Sequence, residues 1–421
     1  MGQSGWAAHF IEPLATADPA LARLLADQRR QNDETVNLVA SESYCCRAAL
    51  EAEASSLVNK NASGYPPRRS VGGGEILDAV ERLAIARART LFQAEHANIQ
   101  ALSSTIANIA VLRGLLAPGD RILALDATAG GHGSHGQASH ISGQTYRVEN
   151  FGVDEAAGGI DYAAVADQAA RFGPRMIVAG ATAYPKMIDF ARLGRIATSV
   201  GAMLFADIAH VSGLVAAGLH PNPTPFADAV TTSTHKTLCG PRTGGLILCK
   251  AAHGAAIDAA LSPGLQAAAG AHIIAARALL FDWVAQPWFA GLMGRVLENA
   301  RALAEGLAAE GVPLYLGGTE THMVVVDLRG TAWTPAALGT RLLEHGIVAS
   351  TTRLPGRDGA AVGLRLGSTA MTIRGADAAL HREIGGLLAR LLRGTDDPAD
   401  APAGERLRRI AADCPIPFQG T

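Results

Sequence analysis

Apolar and polar positions along this chain alternate between two periods. Short apolar runs at 97–101, 121–125, 175–180, 203–206 and 245–249 read as buried strands. Between them, helical spacing predicts helices at 76–92, 106–116 and 191–200. The clearest stripe is Ile76, Leu77, Val80, Leu83, Ala84, Ala88 and Leu91. Strand and helix in alternation predict an α/β fold with a mostly parallel sheet, whose ligands sit at its carboxyl edge.

The flanks read differently. Asp18-Pro19 is a cap followed by a first-turn proline, and Leu21, Leu24 and Leu25 make a stripe, so 1–30 reads as an arm and a first helix. A short strand is expected at 36–40 and a helix at 48–57. The stretch 59–75, NKNASGYPPRRSVGGGE, is a long loop of the kind that carries function. A helical region at 268–309 is interrupted by Pro287. Beyond it, strands at 322–328 and 362–366 and helices at 335–344 and 376–392 predict a smaller α+β domain. A loop at 395–403 precedes the last helix. The expected division is an arm at 1–30, a large domain at 31–286 and a small domain at 287–421.

Composition narrows the function classes. A net charge of −2 and scattered lysines argue against a nucleic-acid or membrane surface. No apolar run approaches a membrane span, and the first residues lack the basic-then-apolar pattern of a signal peptide. Five cysteines have no zinc spacing and read as thiols of a cytoplasmic enzyme, with no metal expected.

The candidate chemistry lies between 203 and 250. Asp207 ends an apolar run, His210 follows, and Lys236 sits in a knot of hydroxyls and a histidine, TTSTHKT at 231–237. An acid at a strand end and a lysine about thirty residues on fit a lysine Schiff base to a pyridine-aldehyde cofactor, the acid keeping the ring nitrogen protonated. An ordinary loop lysine fits the spacing equally well. The chain has four lysines, Lys60, Lys186, Lys236 and Lys250, so few amines compete for the role. Ser103, Ser104 and Thr105 open a helix and read as a phosphate cup or as a plain cap. GGHGSHG at 130–136 puts His132 and His135 among glycines at a strand's carboxyl end. Arg365, inside the apolar strand GLRLGS, requires an anion, either a protein acid or a substrate carboxylate.

Taken in order, LVASES (38–43), GYPPRR…GGGE (64–75), GGHGSHG (130–136), AGATAYP (179–185), ADIAHVSGLVAAG (206–218), TTSTHKTLCGPRTGG (231–245) and GLRLGS…TIRG (363–375) resemble the serine hydroxymethyltransferase family. That resemblance implies the aspartate-aminotransferase-like fold of pyridoxal-phosphate enzymes of fold type I. It implies pyridoxal 5'-phosphate bound through Lys236, with Asp207 on the ring nitrogen, His132 stacked on the ring and His210 on its phenolic side. Thr182 and His235 would also face the cofactor, and Ser103, Ser104 and Thr105 its phosphate. Arg365 would take the substrate carboxylate with Ser41 nearby. A homodimer or dimer of dimers is implied, with amino-acid and aldehyde substrates.

The departures from the family pattern concern the other half of the site. Ser63 stands where the family has an acid, Asn61 where it has tyrosine, and Ser70 and Val71 where it has paired tyrosines. A serine cannot act as a general acid near neutral pH. Ala127, Gly133 and 348–352 also differ on the side that handles folate. These changes make tetrahydrofolate doubtful and predict a folate-independent aldolase or transaldolase acting on a β-hydroxy-α-amino acid, with Ser63 and Val71 in a widened pocket. The alternatives are a conventional tetrahydrofolate-dependent hydroxymethyltransferase and a silent cofactor-binding subunit.

Overall fold

The computed structural model describes residues 9–242, 244–356, 361–393 and 400–418. Its larger sheet has seven strands: β1 (His96–Asn98), β2 (Arg121–Leu125), β3 (Arg147–Phe151), β4 (Met176–Gly180), β5 (Met203–Asp207), β6 (Ala229–Ser233) and β7 (Gly245–Cys249). Their order is β1-β7-β6-β5-β4-β2-β3. β7 runs against both neighbours, and the other pairings are parallel. Every residue of β4, β6 and β7 is buried. Helices cover both faces of such strands, which is why they read as unbroken apolar runs.

Seven helices frame the two domains: α1 (Pro19–Glu34), α2 (Glu75–Phe92), α3 (Ser104–Leu115), α4 (Ala271–Trp283), α5 (Pro287–Ala309), α6 (Ala378–Leu392) and α7 (Asp400–Asp413). Further helices, among them Tyr162–Phe172, Phe190–Ser199 and Ala251–Leu261, link the strands of the larger sheet. Pro287 is the first residue of α5, so it splits the helical region as its backbone requires. The smaller sheet is antiparallel, in the order β8 (Met323–Asp327), β10 (Ala361–Gly367), β9 (Ser350–Leu354). Val36 and Leu38 are fully buried in the small domain's core, and Val36–Asn37 pairs in parallel with Ile347–Val348. Arg374 donates to the carbonyls of Asn32, Asp33, Thr35, Ala411 and Cys414, tying the end of α1 to α7.

Several expectations shift. The strand expected at 36–40 is paired over two residues only. β1 ends at Asn98 rather than 101, and α3 begins two residues early, capped by Ser103 Oγ, which accepts from Ile106 N. The expected loop 395–403 is partly outside the described residues, and from Asp400 it is α7. Asp18 caps α1 as expected, accepting from Ala20 N and Leu21 N. The stripe Leu21, Leu24 and Leu25 is nonetheless exposed, and α1 has no buried residue.

In α2, Ile76 and Leu83 of the predicted stripe are exposed, at 73% and 46%. The buried face instead carries Leu77, Asp78, Glu81, Ala84, Ala88 and Phe92. The acids are buried because Arg69 comes down on them. Its Nε donates to Asp78 at 2.8 Å, and its Nη2 bonds Glu81. Its Nη1 donates to the carbonyls of Ala62 and Gly64 at 2.8 and 2.7 Å. Arg69 therefore holds the hairpin Gly64–Tyr65/Arg68–Arg69 against the large domain.

Replacing Arg69 with Met leaves buried Glu81 without its cation and buried Asp78 with only the exposed Arg82, 3.7 Å away. We expect a loss of about 3–5 kcal/mol in unfolding free energy, measured by urea denaturation of the full chain. A loss under about 1 kcal/mol, the range of a surface pair, would show that this network does not hold the loop.

Candidate active site

Asp207 closes β5, and Ser233 closes its parallel neighbour β6, three residues before Lys236. Gly131 to Gly136 follow β2, on the same carboxyl edge of the sheet. The fold thus brings the acid, the lysine and the histidine loop together. Gly180, beside Asp207 in β4, is needed for the fit. A Cβ there would lie 2.6 Å from Asp207 O and 3.1 Å from the His135 ring.

Asp207 is 8% exposed and held by a closed set of donors. His135 Nε2 donates to its Oδ2 at 3.0 Å and Asn108 Nδ2 at 2.8 Å, while Ala209 N donates to Oδ1 at 2.9 Å. Thr231 Oγ1 donates to Asn108 Oδ1 at 2.6 Å, and Asn108 also donates to Ser134 Oγ. Ser134 N donates to His132 Nδ1, and the Ser134 hydroxyl is 2.7 Å from the same atom. Burial alone would raise the Asp207 pKa. The bond from His135, with the positive charge of Lys236, outweighs it and holds the carboxyl well below the usual carboxylate range. Ligand atoms of His132, His135 and Asp207 lie within 4.8 Å of one another, a spacing a metal ion would accept. Oδ2 is already taken by His135 and Asn108.

Lys236 makes no hydrogen bond or ion pair among the described residues. Its ammonium is desolvated, which lowers its pKa to about 8 despite the opposing pull of Asp207; the charges of Arg365 and Arg242 lower it further. Two of the other three lysines have surface partners. Lys250 pairs with Asp228 at 2.8 Å and Lys186 with Glu320 at 3.8 Å. Lys60 is exposed beside the hairpin loop. Burial lowers His132 and His235 to about 4, so both rings are neutral across the physiological range.

Arg365, in β10, is half-buried and no carboxylate pairs with it among the described residues. Its Nη1 donates to Thr182 O and Oγ1, and its Nε to Ser350 Oγ. Of the two partners considered for it, the protein acid is therefore not seen. Ser41 follows Ala40, whose backbone packs on Gly367 two residues past Arg365; a Cβ on Gly367 would lie 2.5 Å from Ala40 Cα. Ser43 Oγ donates to His235 O at 2.8 Å, bringing the 38–43 segment to the lysine loop. Thr182 Oγ1 stands 3.2 Å from His210 Nε2.

Ser103, Ser104 and Thr105 are half-buried at the start of α3. Gln266 pins the preceding turn, accepting from Leu102 N and donating to Gln100 O. Ser63 and Val71 remain on the hairpin loop. Ser63 Oγ donates to Ala267 O at 3.3 Å, and Val71 is 48% exposed.

These residues fit pyridoxal phosphate. They offer a desolvated, unpartnered amine, an ionised carboxylate and a helix start with hydroxyls. They also include buried ring nitrogens without partners among the described residues, the Nδ1 atoms of His135, His210, His235 and His322. His135, Asn108, Thr231 and His322 complete the cluster. His135 is announced by the second histidine of GGHGSHG and Thr231 by the hydroxyl knot. Asn108 and His322 carry no local signal, since one lies in an apolar helix and the other at the start of a small-domain strand.

The Lys236 pKa is lowered from 10.5 to about 8 in the folded chain. The unfolded chain binds that proton more tightly, so the charged lysine costs stability below pH 8, and the cost fades as pH rises towards 10.5. Lys236→Met in the cofactor-free chain should raise the melting temperature near neutral pH, with the gain gone by pH 10.5. A variant that melts lower than wild type near neutral pH would show that the lysine charge is stabilised in the site.

Comparison with known proteins agrees with this geometry. The family model described as serine hydroxymethyltransferase matches residues 14–388. "Serine hydroxymethyltransferase 2" of Rhodopseudomonas palustris is 43% identical over 413 residues, covering 96% of this chain and 95% of the relative. A serine hydroxymethyltransferase of Nostoc sp. is 42% identical over 405 residues, covering 95% and 94%. A lysine and an acid at one sheet edge, an arginine that reaches Thr182 from the smaller sheet, and matches over nearly the whole length place this chain in the serine hydroxymethyltransferase family of pyridoxal-phosphate-dependent enzymes of fold type I.

Proposed function

We propose that the enzyme makes and breaks the Cα–Cβ bond of a β-hydroxy-α-amino acid, transferring a hydroxymethyl group between serine and glycine with tetrahydrofolate as the one-carbon carrier. The observation that carries the reading is the convergence of Lys236, Asp207 and an Arg365 without a protein acid. The names of the two relatives favour the folate-linked reaction over the folate-independent one expected from the loop substitutions.

Pyridoxal phosphate, when bound, supplies an electron sink for charge developing at Cα. The chain supplies the rest. Arg365 binds the substrate carboxylate as a guanidinium fork and fixes the amino acid's orientation. Asp207, ionised at all physiological pH values, holds a proton on the nitrogen that faces it. Lys236, with a pKa of about 8, is part free amine near neutral pH and can take or return a proton at Cα. Ser103, Ser104, Thr105 and the amides at the start of α3 would hold the phosphate. The neutral His132 would lie against the ring.

A second reading, folate-independent aldol or transaldol chemistry, rests on a specific feature. Ser63 provides no carboxylate where the family pattern has an acid, and its hydroxyl is bonded to Ala267 O. We further propose a cytoplasmic homodimer or dimer of dimers. The unburied leucine stripe of α1 and the five free thiols support this.

Aldehyde release from serine, measured with and without tetrahydrofolate, separates the readings. Stimulation of tenfold or more, about 1.4 kcal/mol of barrier, is expected. Equal rates, with faster cleavage of threonine than of serine, would establish the second reading instead. Asp207→Ala should retain cofactor absorbance and lose about a thousandfold in kcat, the scale of one preorganised electrostatic contact. Retention of turnover would remove Asp207 from the mechanism.

A further inference from the structure

We propose that Thr182 and His322 are positioning residues that hold His210 as a neutral ring with its proton on Nδ1, and that Arg365 sets this state through the Thr182 hydroxyl. The inference rests on the reading above in taking Arg365 as the carboxylate-binding residue.

The donor count fixes the direction of the chain. Arg365 Nη1 lies 2.8 Å from Thr182 Oγ1, and a guanidinium can only donate. Thr182 Oγ1 is 3.2 Å from His210 Nε2. The hydroxyl has one proton, and of these two neighbours only the imidazole can accept it. If Nε2 carried the ring proton, the hydroxyl would accept twice and its own proton would lack an acceptor among these neighbours; a bare Nε2 uses every donor, which assigns the ring proton to Nδ1. Nδ1 is buried and has no partner among the described residues, so its N–H is a donor held ready for a ligand acceptor.

His322 holds the ring from the other side. The two rings stack with centroids 5.6 Å apart and planes 22° from parallel. His322 is fully buried, and its Nε2 donates to Ala40 O at 3.1 Å. Its own carbonyl accepts from Ser368 N at 3.0 Å, three residues after Arg365. One residue thus joins the 38–43 segment and the large-domain His210 through its ring, and the end of β10 through its carbonyl. The groups around His210 are cationic or neutral: Lys236, Arg365, His322 and His132. Burial, then those charges, keep His210 well below the ordinary histidine range. It follows that His210 acts as a hydrogen-bond donor rather than as a general base.

The test reads the ring directly. The full chain is labelled with 15N-histidine, and long-range proton–nitrogen correlations are recorded with and without pyridoxal phosphate. The His210 signals are identified by their loss in His210→Asn. Wild type should show a protonated Nδ1 and a bare Nε2. Thr182→Val should lose that fixed tautomer, and Thr182→Ser should restore it. In the cofactor-loaded enzyme, Thr182→Val should lower kcat/KM about tenfold, the scale of one hydrogen bond. Its acid limb should move to higher pH, with both effects reversed in Thr182→Ser. A protonated Nε2 in wild type, or an unchanged spectrum in Thr182→Val, overturns the proposal. If Thr182→Val does not fold, the wild-type spectrum alone decides the tautomer. The spectrum needs no turnover, so an inactive enzyme with the expected tautomer would count against the proposed reaction and leave this inference standing.

Discussion

The site depends on a charge balance in a poorly hydrated recess. Lys236 is desolvated enough to lose much of its basicity, while Asp207 a short distance away is kept fully ionised. Each state requires a different environment from the same recess. Three donors, from His135, Asn108 and Ala209, hold the carboxylate charged. No hydrogen bond among the described residues does the same for the amine. The result is one group fixed as an anion and one poised between amine and ammonium, which is the pairing Schiff-base chemistry needs.

The sheet and the small domain serve that pairing in different ways. Parallel β5 and β6 set the spacing of Asp207 and the lysine loop, and α3 supplies both the hydroxyls proposed to hold a phosphate and Asn108. A shift of α3 would therefore disturb phosphate and carboxylate together. The small domain contributes Arg365 and His322, each of which reaches a large-domain partner, Thr182 and His210. In the proposed reaction these two contacts would join substrate recognition to cofactor handling.

Much of this was legible in the sequence, for identifiable reasons. Strands buried on both faces are nearly all apolar, so β4, β5 and β7 stood out, with Asp207 at a strand end. The edge strand β3, RVENF, is mostly exposed and has no such run, and β9, STTRL, alternates too weakly to be seen. The α2 stripe misled because a buried ion pair replaced apolar contacts at Asp78 and Glu81. The need of Arg365 for an anion could be read from its place in an apolar strand. Its lack of a protein acid could not, because that depends on what the other domain brings opposite. For the same reason Asn108 and His322 were invisible. Their roles come from contacts 99 and 112 positions away along the chain, as the numbers of Asp207 and His210 show. The substituted loop pointed to a departure from the family pattern at Ser63 and Val71, whereas the chain as a whole matches relatives named serine hydroxymethyltransferase.

The central claim, that Lys236 is the amine that carries the cofactor, can be tested by one measurement. The cofactor-loaded chain is reduced with borohydride, digested, and its peptides weighed by mass spectrometry. With only four lysines to choose from, the account requires the pyridoxyl group on the peptide containing Lys236. A label on Lys60, Lys186 or Lys250, with Lys236 unmodified, would contradict it.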